Sequence, residues 1–332
     1  MKKKIRLAFS DQHRGFDPND NFFLPLFTRH YDVTVTNDHP DYLLYSVFGN
    51  DYLNYDCVRI CYTGECYVPN FNECDYAIGF DRIEFGDRYL RYPVYLFRQY
   101  TQEYLDFANR KPFTKEDLAK KDAFCSFVVS NCFAQDRRTE LYNKISEYKT
   151  VDSGGRYLNN VGGPIKDKLA FTQRHKFEIA CENASYSGYV TEKIVDAFAG
   201  YAIPIYYGDP DVAKDFNPKA FINCADYSSF DEVLERVKEI DQNDDLYLSM
   251  INEPPVLNPL DTDAFEKYLC YIIDQDYDKA FRRPVSMYTT ANDAMLKRHR
   301  FFEKYIYRGY KMVKNQAARL TNGTYLSGRR TK

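Results

Sequence analysis

Short runs of apolar, β-rich residues separated by turn-forming stretches open the chain, and they predict strands at Ile5–Phe9, Val33–Thr36, Tyr42–Phe48, Val58–Tyr62 and Tyr76–Phe80. From Ala123 the pattern alternates between strand and helix periods. Strands are expected at Phe124–Val129, Phe177–Cys181, Ala202–Tyr207 and Phe221–Cys224. Helices are expected at about Asp136–Tyr148, Ile165–His175, Val190–Ala199 and Phe230–Ile240, the last opened by Ser229-Phe-Asp-Glu232 with capping-box spacing. Such alternation implies an α/β protein with parallel strands and helices on both faces, whose ligands bind beyond the carboxyl ends of the strands. No internal repeat interrupts it.

At 332 residues the chain suggests two domains of ordinary size. The polar stretch 109–122 (NRKPFTKEDLAKKD) is the candidate linker, which divides the chain into residues 1–115, residues 116–300 and a tail at 301–332. Hydrophobic residues at 44% and charged residues at 28% fit a globular protein. The 31 Tyr and 25 Phe, with no Trp, offer polar-edged aromatic surface suited to a hydroxyl-rich ligand as well as core. The net charge of −3 hides an asymmetry: Lys297–Lys332 carries eleven Lys or Arg against Glu303, which leaves −13 for residues 1–296. A basic tail interleaved with Phe301, Phe302, Tyr305, Tyr307 and Tyr310 suits an anionic membrane surface or a solvated helix, and no nucleic-acid motif accompanies it. Nine cysteines, an odd number, and a start that is no signal peptide lead to the expectation of reduced thiols in a cytoplasmic protein, peripheral to the inner membrane face where the tail docks.

The stretch Lys176–Pro210 (KFEIACENASYSGYVTEKIVDAFAGYAIPIYYGDP) carries the chemistry. A strand enters a polar loop, Glu182–Gly188, which opens a helix whose Val190, Ile194, Ala197 and Phe198 share one stripe. The start of such a helix aims N–H groups and positive dipole at the strand's carboxyl end, where phosphate binds. Lys193 would add formal charge there, and Asn183 and Tyr189 would donate hydrogen bonds to phosphate or sugar oxygens. Glu192 suits either a ribose cis-diol or the helix dipole.

This stretch, with FCSFVVSN at 124–131, VDSGGR at 151–156, DFNPKAFIN at 215–223, YTGE at 62–65 and FNECDYAIGFD at 71–81, closely resembles the bacterial α1,3/1,4-fucosyltransferases over roughly residues 5–260. The resemblance implies a GT-B architecture: two Rossmann-like domains facing a central cleft, an N-terminal acceptor domain and a C-terminal GDP-fucose domain, with inverting transfer. It implies GDP-fucose as donor and an oligosaccharide or glycolipid as acceptor, with O3 of GlcNAc favoured over O4. A different nucleotide-sugar donor and a non-catalytic sugar-binding module are the alternatives.

By the same resemblance Glu65 is the catalytic base, Arg138 and Lys193 hold the diphosphate, Glu192 the ribose, and Asn183 and Tyr189 supply supporting hydrogen bonds. Arg137 competes with Arg138 for its role. The chemistry is consistent, because an inverting displacement needs one base and a cationic pocket for the leaving diphosphate. Asp209 and Asp211 in Gly208-Asp-Pro-Asp211 read as turn formers, so no metal is expected to be required, though divalent ions can stimulate without a protein ligand. The seven-residue repeats that drive dimerisation in some relatives have no counterpart after Asp261.

Overall fold

The structure, a computed structural model, describes residues 2–97, 111–130, 137–256, 261–307, 309–310 and 312–313. The chain forms two compact units, each built on its own sheet.

The first unit comprises the chain up to Gly79, residues 84–90, and the chain from Phe265. Its sheet has strands β1 (Lys4–Ser10), β2 (Asp32–Val35), β3 (Tyr42–Tyr45), β4 (Val58–Tyr62), β5 (Tyr76–Gly79) and β6 (Tyr89–Arg91) in the order β2-β1-β3-β4-β5-β6. Pairing is parallel from β2 through β5. Both faces of β3 and β5 are covered, so Tyr-Leu-Leu-Tyr and Tyr-Ala-Ile-Gly read as unbroken apolar runs. Strand β3 stops three residues short of the expected Phe48. Past Tyr45 the chain bends, and Phe48 N donates to the carbonyl of Asp11 (3.0 Å), itself held at φ 55°.

Residues 265–300 do not belong with the second half of the chain, contrary to the expected division. The helix Ala264–Asp274 buries Phe265, Leu269, Ile272 and Ile273. Phe265 stacks on Phe23 and meets Tyr62 edge-on, and Tyr31 Oη donates to Asp274 (2.9 Å). The buried carboxylate of Asp75 accepts from the backbone N–H of Arg282 and Arg283 and pairs with the Arg283 guanidinium. The helix Met287–Phe302 touches the first core through Leu296. Its Met287, Tyr288, Phe301 and Phe302 are exposed, as are Tyr305, Tyr307 and Tyr310 beyond it. From residue 314 the tail lies outside the described residues.

The second unit takes residues 80–83 and 91–264. Its strands are β7 (Ala123–Phe127), β8 (Val151–Ser153), β9 (His175–Cys181), β10 (Ile203–Tyr207) and β11 (Ile222–Asn223), parallel throughout in the order β8-β7-β9-β10-β11. Strand β8 was not expected, being only Val-Asp-Ser. The core gathers Phe127, Phe177, Ile179, Ile203 and Ile205 against helix residues Leu141, Val233 and Val237. The supposed linker is part of this unit. Phe113 joins its core and bonds through its N–H to Asn252 (2.7 Å), and Thr114 caps a short helix, Lys115–Leu118. Residues 109 and 110 lie outside the described ones. The capping box at Ser229 is half formed: Ser229 Oγ accepts from Glu232 N, while the Glu232 carboxylate turns to Ser228 N and Oγ.

Candidate active site

In the second sheet β7 sits between β8 and β9, so the chain runs outward in one direction to β8 and in the other to β9 and β10. Loops leaving the carboxyl ends of β7 and β9 therefore diverge over a crevice, the place where open parallel sheets bind ligands. Two of the expected donor residues, Arg138 and Asn183, lie in the chain that follows these two strands. The chain after β7 leads into the helix Arg137–Ser146, and that after β9 is the loop Glu182–Gly188. Arg138 is only 2% exposed, and its Nη1 donates to Asn183 Oδ1 at 3.3 Å. Arg137 points elsewhere, pairing with Glu140 (3.0 Å) and lying over the ring of Phe230.

Helix formation after the loop begins at Lys193, three residues later than the periodicity predicts. The cause is Glu182. This carboxylate has no exposed side-chain surface and accepts from Thr191 N (2.7 Å), Thr191 Oγ1 (2.7 Å) and Lys193 Nζ (3.0 Å), holding Thr191 outside the helix. Lys193 also donates to Thr191 Oγ1 (2.7 Å) and lies 3.5 Å from Glu192. Burial works against its ammonium, but Glu182 and then Glu192 outweigh that and leave the lysine above its ordinary value. Burial likewise opposes the Glu192 carboxylate, which the neighbouring Lys193 nonetheless keeps below its ordinary value. One turn on, Asp196 pairs with Lys168 (2.6 Å), which also holds the buried Glu178 of β9 (3.1 Å) and so ties the helix to the sheet.

Glycine is required at both ends of this arrangement. Gly188 has φ +86°, and a Cβ on it would come within 2.6 Å of the Phe80 carbonyl oxygen. A Cβ on Gly208 would lie 2.5 Å from Glu182 Cγ. Tyr189 is as buried as Arg138. It is 2% exposed, with its ring 5.0 Å from that of Phe80, so it underpins the loop by packing. Asp209 is a turn former, its Oδ1 accepting from Asp211 N (2.8 Å), and it is also an ion-pair partner. Arg82 bridges Asp209 (3.0 Å) and Asp215 (2.8 Å), and Arg91 adds a second guanidinium to Asp215 (2.6 Å). Among the described residues no three His, Cys, Asp or Glu converge as a metal site would require.

Glu65 belongs to the first unit. It follows β4 in the loop Thr63-Gly64-Glu65, its N–H donating to the buried Thr63 Oγ1 (3.0 Å) and its carbonyl accepting from Tyr67 N (2.8 Å). Backbone bonds fix the loop, and the residue itself is exposed.

The N-terminal domain profile of α-(1,3)-fucosyltransferase FucT matches residues 7–98, and the C-terminal profile of glycosyltransferase family 10 (fucosyltransferase) matches residues 118–254. A crystal structure of an α1,3-fucosyltransferase with GDP-fucose superposes with a TM-score of 0.68 at 30% identity, over 83% of this chain and 93% of that one. The chain belongs to the family 10 fucosyltransferases. Another family structure, an α1,3-fucosyltransferase with GDP, gives a TM-score of 0.69 at 29% identity over 86% of this chain and 94% of that one. The α-(1,3)-fucosyltransferase FucT of Helicobacter pylori is 37% identical over 275 residues, 72% of this chain. This chain spans 57% of that relative's length. The human 4-galactosyl-N-acetylglucosaminide 3-α-L-fucosyltransferase 9 is 31% identical over 147 residues, 42% of this chain and 39% of its own. Family membership makes the two Rossmann-like units those of a GT-B fold. The first profile runs from within β1 through β6 and includes Glu65, and the second covers β7–β11 with Arg138, Asn183, Glu192 and Lys193.

The sequence reading passed over Glu182, Thr191 and Arg82. For Glu182 a signal existed: in Phe-Glu-Ile-Ala-Cys-Glu, carboxylates punctuate an otherwise apolar central strand, a pattern that demands buried partners. Arg82 gives no such signal, because its partners Asp209 and Asp215 lie more than 120 residues away.

Proposed function

We propose that this family member transfers L-fucose from GDP-fucose to O3 of GlcNAc in a lactosamine-type glycan, with inversion at the fucose anomeric carbon. Two contacts support the donor reading, Arg138 with Asn183 and Lys193 with Glu192, in the chain that follows β7 and β9, in a family whose solved structures are described with GDP-fucose and GDP. The acceptor rests on the human relative, named for fucosylating a galactosyl-N-acetylglucosaminide at position 3. In this reading Glu65 takes the proton from the acceptor hydroxyl as its oxygen bonds to the fucose anomeric carbon. The bond from that carbon to the diphosphate breaks with its electron pair, and the cations of Arg138 and Lys193 stabilise the departing GDP. Glu192 accepts from the ribose hydroxyls.

With this cationic pair no divalent ion is required. GDP release from GDP-fucose, followed in EDTA with type 2 N-acetyllactosamine and its type 1 isomer, is expected to be fast with type 2 and slow with type 1. Equal release with and without acceptor would overturn the transferase reading.

We propose also that the exposed aromatic and basic end of the chain docks on anionic membrane. The full chain should co-sediment with phosphatidylglycerol vesicles and be released by 0.5 M salt, given a Debye length of about 3–10 Å over that range. Failure to sediment at low salt would remove this proposal and leave the donor reading untouched.

A further inference from the structure

The Lys193 ammonium has three N–H groups and three acceptors around it: Glu182 Oε2 at 3.0 Å, Thr191 Oγ1 at 2.7 Å and Glu192 Oε1 at 3.5 Å. The first two acceptors cannot leave. Glu182 has no exposed side-chain surface, is locked by Thr191 N and Oγ1, and fills the space that Gly208 leaves by lacking a Cβ. Glu192 is the longest contact, with 30% of its side chain exposed. The loop thus carries its own buried anion at the helix start, where the sequence led one to expect free N–H groups for a phosphate.

We infer that Glu182 is a positioning residue for donor binding: it fixes Lys193 so that only the N–H directed at Glu192 is exchangeable, and that N–H is the one a diphosphate oxygen takes. The exchange frees the Glu192 carboxylate for the ribose hydroxyls, so the two halves of the nucleotide are engaged together. The inference rests on the reading that Lys193 binds the diphosphate. Glu182 has a second consequence. Three charged groups face the half-buried ammonium: Glu182 first and Glu192 second favour its protonated form against desolvation, while Lys168 opposes it.

The test is calorimetric titration of GDP into wild type, Glu182→Gln, Lys193→Met and the double variant, at pH 6.5 and pH 9. Glutamine keeps an acceptor for Thr191 and removes the charge. Glu182→Gln should bind GDP at least tenfold more weakly at pH 9, with a smaller deficit at pH 6.5, where the lysine regains its proton. In the Lys193→Met background the same substitution should change GDP affinity by less than twofold, since its effect runs through the lysine. A deficit that persists in that background, one of equal size at both pH values, or wild-type binding by Glu182→Gln would overturn the inference. Wild-type binding by Lys193→Met would instead overturn the donor reading beneath it. Should Glu182→Gln not fold, Thr191→Val removes the hydroxyl shared by carboxylate and ammonium. Its loss of GDP affinity must then vanish when combined with Lys193→Met, and persistence there would be equally contradictory.

Discussion

Glu65→Gln should reduce transfer by a factor of about 10²–10⁴, the usual contribution of a positioned general base. GDP affinity should stay within twofold of wild type. The reason for this separation is structural. Glu65 is exposed on the loop after β4 of the first unit, and the loop's shape is set by backbone bonds to Thr63 and Tyr67, which glutamine leaves intact. The crevice residues belong to the other unit. The melting temperature should therefore be unchanged, and initial rates at saturating GDP-fucose report the base alone. A variant that keeps most of its rate would show that the acceptor proton goes elsewhere.

Arg138→Ala and Lys193→Ala should each weaken GDP binding by at least tenfold. A hydrogen bond to a charged group contributes about 1.5–3 kcal/mol, which is roughly 10- to 150-fold. The two variants differ in stability. Lys193→Ala leaves the buried carboxylate of Glu182 without its cation, and removing one member of a buried pair typically costs about 3–5 kcal/mol. Arg138 donates to the neutral Asn183, so that contact carries no counter-charge penalty of this kind. Arg137→Ala is the internal control. Its guanidinium is engaged with Glu140 and the Phe230 ring, and GDP affinity should stay within twofold. Equal losses for Arg137→Ala and Arg138→Ala, read by calorimetry, would mean that the first turn of that helix acts only through its net charge.

The elements of the second sheet were largely legible because a central parallel strand is covered on both faces and reads as a continuous apolar run. Boundaries were less so, and for identifiable reasons. The helix after the donor loop starts late because a side chain from the preceding strand competes for Thr191, an interaction that periodicity does not register. The division into units was misplaced because Phe265 packs against Phe23 and Tyr62, contacts more than 200 residues apart that no local composition reveals. The stretch 111–122 is polar as a linker would be, yet Phe113 anchors it in the second core. Of the expected donor residues, the strand–loop–helix pattern points to Asn183, Glu192 and Lys193 and the family resemblance to Arg138; in the fold Arg138 meets Asn183 and Lys193 meets Glu192. Tyr189 reads as a hydroxyl donor beside them, and its ring packs edge-on against Phe80, a contact 109 residues away that spacing does not register.

The most direct measurement is NMR of the product formed from GDP-fucose and type 2 N-acetyllactosamine. The account predicts one new anomeric signal of an α-linked fucose, with its cross-ring correlation to C3 of GlcNAc. A β-anomer, or fucose on any galactose carbon, would contradict both the single displacement and the acceptor assigned here.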